Sequence, residues 1–306
     1  LQAERNIRRL GPFSAVNVET IGLTEKNQTV HLRVKVDEQR PFLVDLEFGY
    51  STDEQYAGAM RFTNLNAFGW AKRNTLALTY GEVLSRAEIG WIDPRFLGSS
   101  FEMTTNSWIQ YEEEAAFTYV QLGAATGWFR RFYRFGLLFR FELDRNYFVE
   151  GSSTAADAQS LRNNTIAKTS LSASYDTRDN FAKPRKGFFT ISTADLFNEI
   201  KGNEANFVKL AVAGEYHLSP FKRVTLSSTL RINRIQTFGD NVSIPSNELF
   251  FLGGDDTIRG FSEDSLGPVD ANNNPTGGRS RWIFNQELRF HVARSLSTGI
   301  FYDAGK

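Results

Sequence analysis

A transmembrane antiparallel β-barrel, preceded by a short α/β segment, is the fold class this sequence predicts. Three observations predict it. Apolar and polar residues alternate over many stretches. Those stretches run to about ten residues or more, the length a tilted strand needs to cross a bilayer. Tight connections also tend to alternate with long polar ones, the rhythm of short turns on one side of a membrane and long loops on the other. A soluble sandwich alternates too, but its strands average about half that length.

Composition narrows the function classes. Lys+Arg and Asp+Glu are both 35, so the net charge is zero and nothing global points to nucleic acid. With no cysteine, disulfides and thiolate metal sites are excluded. No apolar run approaches the ~18 residues of a membrane helix, and no signal peptide heads the chain. The negative mean hydropathy is compatible with a barrel, whose apolarity sits in every second residue.

The elements follow in order. Ala3 to Leu10 predicts the end of a helix, stopped by Gly11-Pro12. Phe13 to Glu19 and Thr29 to Val36 alternate on either side of Asn27-Gln28 and predict two strands. Pro41 then separates residues 1–40 from a barrel over 41–306. Barrel strands are predicted at 42–50, 56–64, 74–82, 85–93, 101–112, 117–126, 133–144, 163–176, 187–196, 206–218, 223–238, 280–292 and 296–304. In 133–143 the odd residues Tyr133, Phe135, Leu137, Phe139, Phe141 and Leu143 form an apolar face opposite Arg134, Arg140 and Glu142. The stretches 207–218 and 224–233 read the same way, with the even residues apolar. The tight connections are 219–222 and 293–295, and the long ones 145–162, 197–205 and 239–279. Trp70, Trp91, Trp108, Trp128, Tyr147, Phe148 and Trp282 are candidates for the interfacial aromatic girdles.

Parity also places charges. Trp282, Phe284, Leu288, Phe290 and Val292 take the lipid face of their strand, so Asn285, Glu287, Arg289 and His291 face the lumen. Leu296, Ile300 and Tyr302 point outward on the next strand, leaving Gly299, Phe301 and Asp303 inside. The loop between 239 and 279 carries Ile258-Arg259-Gly260-Phe261. If it folds back into the barrel, Arg259 meets Glu287 and Asp303, because a planar guanidinium pairs with carboxylates through parallel hydrogen bonds. The alternative is that all three are ordinary solvated lumen or loop residues.

Here the sequence resembles a family: the outer-membrane insertase and translocase superfamily with POTRA (polypeptide-transport-associated) domains, whose members include BamA-like and TamA-like proteins and two-partner secretion transporters. Ile258-Arg259-Gly260-Phe261 resembles its loop-six motif, and Phe301-Tyr302-Asp303-Ala304-Gly305 its Phe-x-Asp-x-Gly strand motif. Glu287 stands where the family has an inward Glu. Asp176-Thr177-Arg178-Asp179-Asn180 with Pro184-Arg185-Lys186-Gly187 is similar to the turn before the ninth strand, and Asn6 to Phe13 to the second helix of a POTRA domain.

The resemblance implies several expectations. Arg259 is locked to its lumen partners Glu287 and Asp303, with Phe301 and Gly305 completing the strand motif. The barrel has about 16 strands, so three strands are expected beyond Lys306 and most of the POTRA array before Leu1. The seam lies at strand one, where Phe42, Leu46 and Gly49 sit and where glycine and weak alternation permit loose pairing. The function implied is assembly or insertion of β-barrel or other proteins into a bacterial-type outer membrane, with the N-terminal part in the periplasm. The implied partners are unfolded outer-membrane protein substrates, accessory periplasmic or lipoprotein subunits, and lipid and lipopolysaccharide. The alternatives are a two-partner-secretion polypeptide translocase and a passive porin-like channel. No enzyme, metal site or cofactor is expected. His31, His217 and His291 are scattered, and Asp255-Asp256 reads as a solvated turn. Glu112-Glu113-Glu114 reads as a loop facing solvent or lipopolysaccharide.

Overall fold

A computed structural model of the chain describes residues 4, 7–8, 10–21, 29–51, 55–113, 117–151, 163–201, 206–238, 244–293 and 296–306. Glu4, Ile7 and Arg8 are helical, and the rest of the helix predicted from Ala3 to Leu10, like the turn at Asn27-Gln28, lies outside the described residues or in a bend. Strands β1 (Phe13–Ile21) and β2 (His31–Glu38) pair antiparallel as a hairpin of their own.

Thirteen strands follow in one antiparallel meander: β3 (Phe42–Ser51), β4 (Gln55–Ala67), β5 (Lys72–Gly81), β6 (Leu84–Asp93), β7 (Glu102–Glu113), β8 (Phe117–Phe132), β9 (Phe135–Gly151), β10 (Asn164–Asp176), β11 (Gly187–Lys201), β12 (Asn206–Phe221), β13 (Val224–Thr237), β14 (Ser280–His291) and β15 (Ser297–Gly305). Each pairs with its sequence neighbours, and among the described residues β3 and β15 are the two edges.

Burial runs inside out. Leu137, Phe139, Phe141 and Leu143 of β9 are exposed, whereas Glu142, Asp144 and Asn146 of the opposite face are buried. Leu210 and Val212 of β12 and Leu230 and Ile232 of β13 are exposed, while Thr225, Ser227 and His217 are buried. A soluble protein reverses this order. The outward face therefore meets hydrocarbon, and the inward face is a polar lumen.

The lumen wall is cross-linked by polar side chains. Glu142 accepts from Lys168 Nζ at 2.6 Å and pairs with Arg140 at 2.8 Å. Asn146 donates to Asn164 at 2.9 Å and accepts from Gln121 at 3.0 Å. Buried polar groups of this kind are stable because they satisfy one another.

Several strands outrun their predicted ends. β8 continues to Phe132, β9 to Gly151 and β11 to Lys201. Asn146 and Glu199 look like loop residues but are buried lumen positions still in the ladder. The predicted loops 145–162 and 197–205 shrink accordingly, and residues 152–162 and 202–205 are not described. Tyr133 belongs to the β8–β9 turn rather than to a strand: its φ is 56°, outside strand geometry.

Two girdle candidates are also corrected. Trp108 faces the lumen, where its Nε1 donates to Gln121 at 2.8 Å and Arg86 lies over its ring, and Phe148 stacks near Tyr119 on the same face. Glu112 and Glu113 are strand residues, Glu112 accepting from the Tyr119 hydroxyl and from Gln110; Glu114 lies outside the described residues.

Neighbouring residues on opposite faces test this assignment. Leu76→Arg, outward on β5, is expected to cost about 2–4 kcal/mol and lower folding yield into lipid vesicles. Ala77→Arg, inward beside Glu88, is expected to leave the yield near that of the parent. Equal losses in heat-modifiable gel mobility would refute the face assignment.

Candidate functional site

The loop between β13 and β14 returns into the lumen, and its own residues explain how. Gly253 and Gly254 have φ of 115° and 88°, a region closed to most side chains, so the chain reverses there. Gly254 N–H donates to the Phe261 carbonyl at 2.9 Å, and Gly253 N–H donates to Thr257 Oγ1 at 2.9 Å. Gly260, with φ of 89°, completes the turn. The tip presents Ile258 and Arg259; Phe261 is half-exposed, and Asp255 and Asp256 point to solvent.

Arg259 uses its whole donor edge. Its Nε and Nη2 donate to Asp303 Oδ2 and Oδ1, both at 2.8 Å, and its backbone N–H donates to Oδ2 at 3.1 Å. Nη1 donates to Glu287 Oε1 at 2.7 Å. The guanidinium lies 3.9 Å over the Phe301 ring, a cation–π contact that adds to the pair. The Asp303 side chain is only 3% exposed, so charge-assisted bonds carry its desolvation. Glu287 Oε2 accepts from Arg289 at 2.9 Å.

Register builds this geometry. Asn285 faces Asp303 and Glu287 faces Phe301 across β14 and β15. Asn285 Nδ2 donates to Asp303 Oδ1 at 2.8 Å and to the Thr257 carbonyl at 2.9 Å, while Arg231 donates to Asn285 Oδ1 at 2.7 Å. Arg281 donates to the Phe251 carbonyl at 2.8 Å. Gly305 makes room: a Cβ there would lie 2.9 Å from Ile258 Cδ1. The buried Leu252, Ile258 and Ile283 pack together at this point. Further along, Ile244 packs on an inward cluster of Ile166, Phe197, Phe207 and Ile235, one residue from each of β10 to β13.

The sequence motifs placed Arg259, Glu287, Asp303, Phe301 and Gly305, and the structure brings these five together with Ile258. It also adds Asn285, Arg281, Thr257 and the apolar anchors. The signal of the apolar anchors was present as adjacent apolar residues at strand ends, Leu196-Phe197, Phe207-Val208 and Trp282-Ile283-Phe284, where Phe197, Phe207 and Ile283 break the alternation. The seam candidates lie apart from this cluster, on edge strand β3: Phe42 and Leu46 are exposed on its outward face, and Gly49 has open space around it.

A second arginine closes the turn between β10 and β11. Arg178 pairs with Asp176 at 2.9 Å and with Glu215 at 3.0 Å, stacked 4.4 Å over Phe189. The backbone N–H groups of Arg185 and Lys186 hold the Asp179 carboxyl below the usual carboxylate range.

The Omp85 superfamily domain matches residues 66–306. The chain belongs to the Omp85 superfamily. Among Omp85 relatives, the outer membrane protein assembly factor BamA of Nitratidesulfovibrio vulgaris is 23% identical over 328 residues, covering 99% of this chain and 40% of that protein. A crystal structure of BamA from Haemophilus ducreyi lacking POTRA domains 1–3 matches all of this chain and 65% of its own with a TM-score of 0.83 at 14% identity. CdiB from Acinetobacter baumannii matches 98% of this chain and 56% of its own with a TM-score of 0.58 at 12% identity. The chain thus spans about 40% of the length of that curated relative.

Removing the guanidinium leaves the buried Asp303 without its cation and Glu287 with Arg289 alone. Arg259→Ala is expected to destabilise the barrel by about 3–5 kcal/mol, read as a lower urea midpoint for loss of heat-modifiable mobility. Arg259→Lys is expected to recover only part of the loss, since a point charge cannot bridge both carboxylates. An unchanged midpoint in Arg259→Ala would show that the pair contributes nothing.

Proposed function

We propose that this Omp85 barrel inserts β-barrel proteins into the outer membrane. The observation that carries the reading is the loop cation seated on Asp303 and Glu287 inside the wall. It braces β14 and β15 from within, so the wall on that side stays folded while another part changes. The likeness along 99% of the chain to an outer membrane protein assembly factor supports the same reading.

In this proposal the moving part is the edge of β3. Its residues pair on one side only among the described residues, with β4. An unpaired row of backbone groups in hydrocarbon is costly and accepts an incoming strand by β-augmentation. Residues 1–40 form the end of a POTRA domain on the periplasmic side and deliver unfolded substrate to that edge. Accessory periplasmic or lipoprotein subunits dock on this part, and lipopolysaccharide meets the loops of the opposite rim.

A reconstitution tests the proposal. The intact protein is placed in liposomes and given an unfolded barrel substrate. A photo-crosslinking residue at Phe42 or Leu46 is expected to capture substrate, and one at Leu210 on the far wall is not. Arg259→Ala is expected to lower the yield of folded, protease-resistant substrate at least about tenfold, in line with the loss of a buried pair. Substrate that crosses into the vesicle lumen, rather than remaining folded in the bilayer, would replace insertion with polypeptide translocation. Full insertion by Arg259→Ala without crosslinks at Phe42 or Leu46 would overturn the reading.

A further inference from the structure

The outward wall of β11 to β14 has a depression that the loop and the lumen do not account for. Three small residues from neighbouring strands, Thr190, Gly214 and Ser228, meet on this face and line the depression. Gly214 faces Thr190 on β11 and Leu230 on β13, and Ser228 faces Tyr216 and Gln286. The missing bulk leaves a groove of about 330 Å³ walled by Phe188, Val212, Tyr216, Leu230, Ile232 and Phe284. A Cβ on Gly214 would come no nearer than 3.7 Å to the Phe188 ring, so no neighbour fills the space.

The polar groups of the groove are turned into the wall. Ser228 Oγ donates to Gln286 Oε1 at 2.9 Å, and Gln286 Nε2 donates to the Ser227 carbonyl at 2.9 Å. Thr190 Oγ1 donates to the Ala213 carbonyl at 2.9 Å. With these groups satisfied, the groove offers apolar surface at hydrocarbon depth, and its occupant must be apolar and slender.

The rim beside it is basic. Residues 177–186 and 222–223 form the turns at the nearer edge and carry the exposed Lys183, Arg185, Lys186, Lys222 and Arg223. None of the five makes an ion pair among the described residues. Arg185 donates to the Lys222 carbonyl and accepts at its own carbonyl from Ser219 Oγ at 3.0 Å, which ties the two turns together. Asp179, the acid of these turns, is engaged by the backbone N–H groups of Arg185 and Lys186 at 3.0 and 3.2 Å. Lys186 is two residues from Phe188, about 7 Å along the strand, so the cations and the groove form one continuous surface.

We propose that this surface binds one anionic phospholipid, with an acyl chain in the groove and the phosphate on the basic turns. Charge at the interface and apolar surface below it match the two ends of such a lipid. The proposal rests on the transmembrane placement of the wall and is independent of insertion activity.

The test uses the intact protein in nanodiscs of mixed phosphatidylglycerol and phosphatidylcholine, with native mass spectrometry counting lipid retained after release. One phosphatidylglycerol is expected to stay bound in preference to phosphatidylcholine. The combined variant Lys186→Glu, Lys222→Glu and Arg223→Glu is expected to reduce retention about tenfold or more. Gly214→Leu is expected to lose the lipid with every cation in place, while Ala194→Leu, outward on β11 away from the groove, keeps it. Heat-modifiable mobility confirms that each variant is folded. Retention by Gly214→Leu equal to the parent, equal retention of phosphatidylcholine, or displacement by inorganic phosphate alone would overturn the proposal.

Discussion

Every backbone N–H and C=O that enters hydrocarbon must find its partner within the protein, and the rest of this structure depends on that constraint. It dictates strands that pair continuously with their neighbours. It also turns the usual distribution of side chains inside out, because lipid takes the apolar face and only the lumen is left for charge. Once charges are gathered there, they need counterparts. The inner wall supplies them as cross-strand pairs such as Lys168 with Glu142, and as the loop that places Arg259 on Asp303.

The loop is where local and global effects meet. Its glycines allow a reversal that no other residue accommodates easily, and its apolar residues drive it onto the wall. Hydrogen bonds then set the final position. Along β14 the inward residues Arg281, Ile283, Asn285 and Glu287 each touch the loop, alternating polar hook and apolar contact. The strand holds the loop along its length rather than at one point. The burial of Ile258 against Gly305 then decides how deeply the tip sits.

Much of this was legible in the sequence. Period-two alternation located all thirteen wall strands, because a residue's face fixes its chemistry when one side is lipid and the other is polar. The inward placement of Glu287 and Asp303 followed from the same parity. What stayed hidden had a common cause: the lumen is polar, so Asn146 and Glu199 imitate loop residues and the strand ends were set too early. The reverse imitation concealed Phe207, Ile235 and Trp108, which are apolar or aromatic yet face inward to seat the loop or to stack with Arg86. Parity cannot reveal such exceptions, since they depend on a partner distant in sequence. The depth of the Arg259 contact likewise needed the register of β14 against β15, which no single strand encodes.

That register gives the arginine one more consequence. Side chains on a strand point alternately to opposite faces, so a shift of β15 by a single residue relative to β14 would carry Asp303 away from Asn285 and, on rotation, toward lipid. The loop would then lose its two-oxygen contact with Asp303 and keep only Glu287 of β14, and Phe301 would no longer lie beneath the guanidinium. Seating of the loop is therefore a gauge of strand alignment: a misaligned wall leaves the cation only partly paired in the lumen, and the correctly zipped one lets it settle. Because β14 and β15 follow the loop in the chain, the gauge reads only after both have formed, and it marks the end of their folding rather than its beginning.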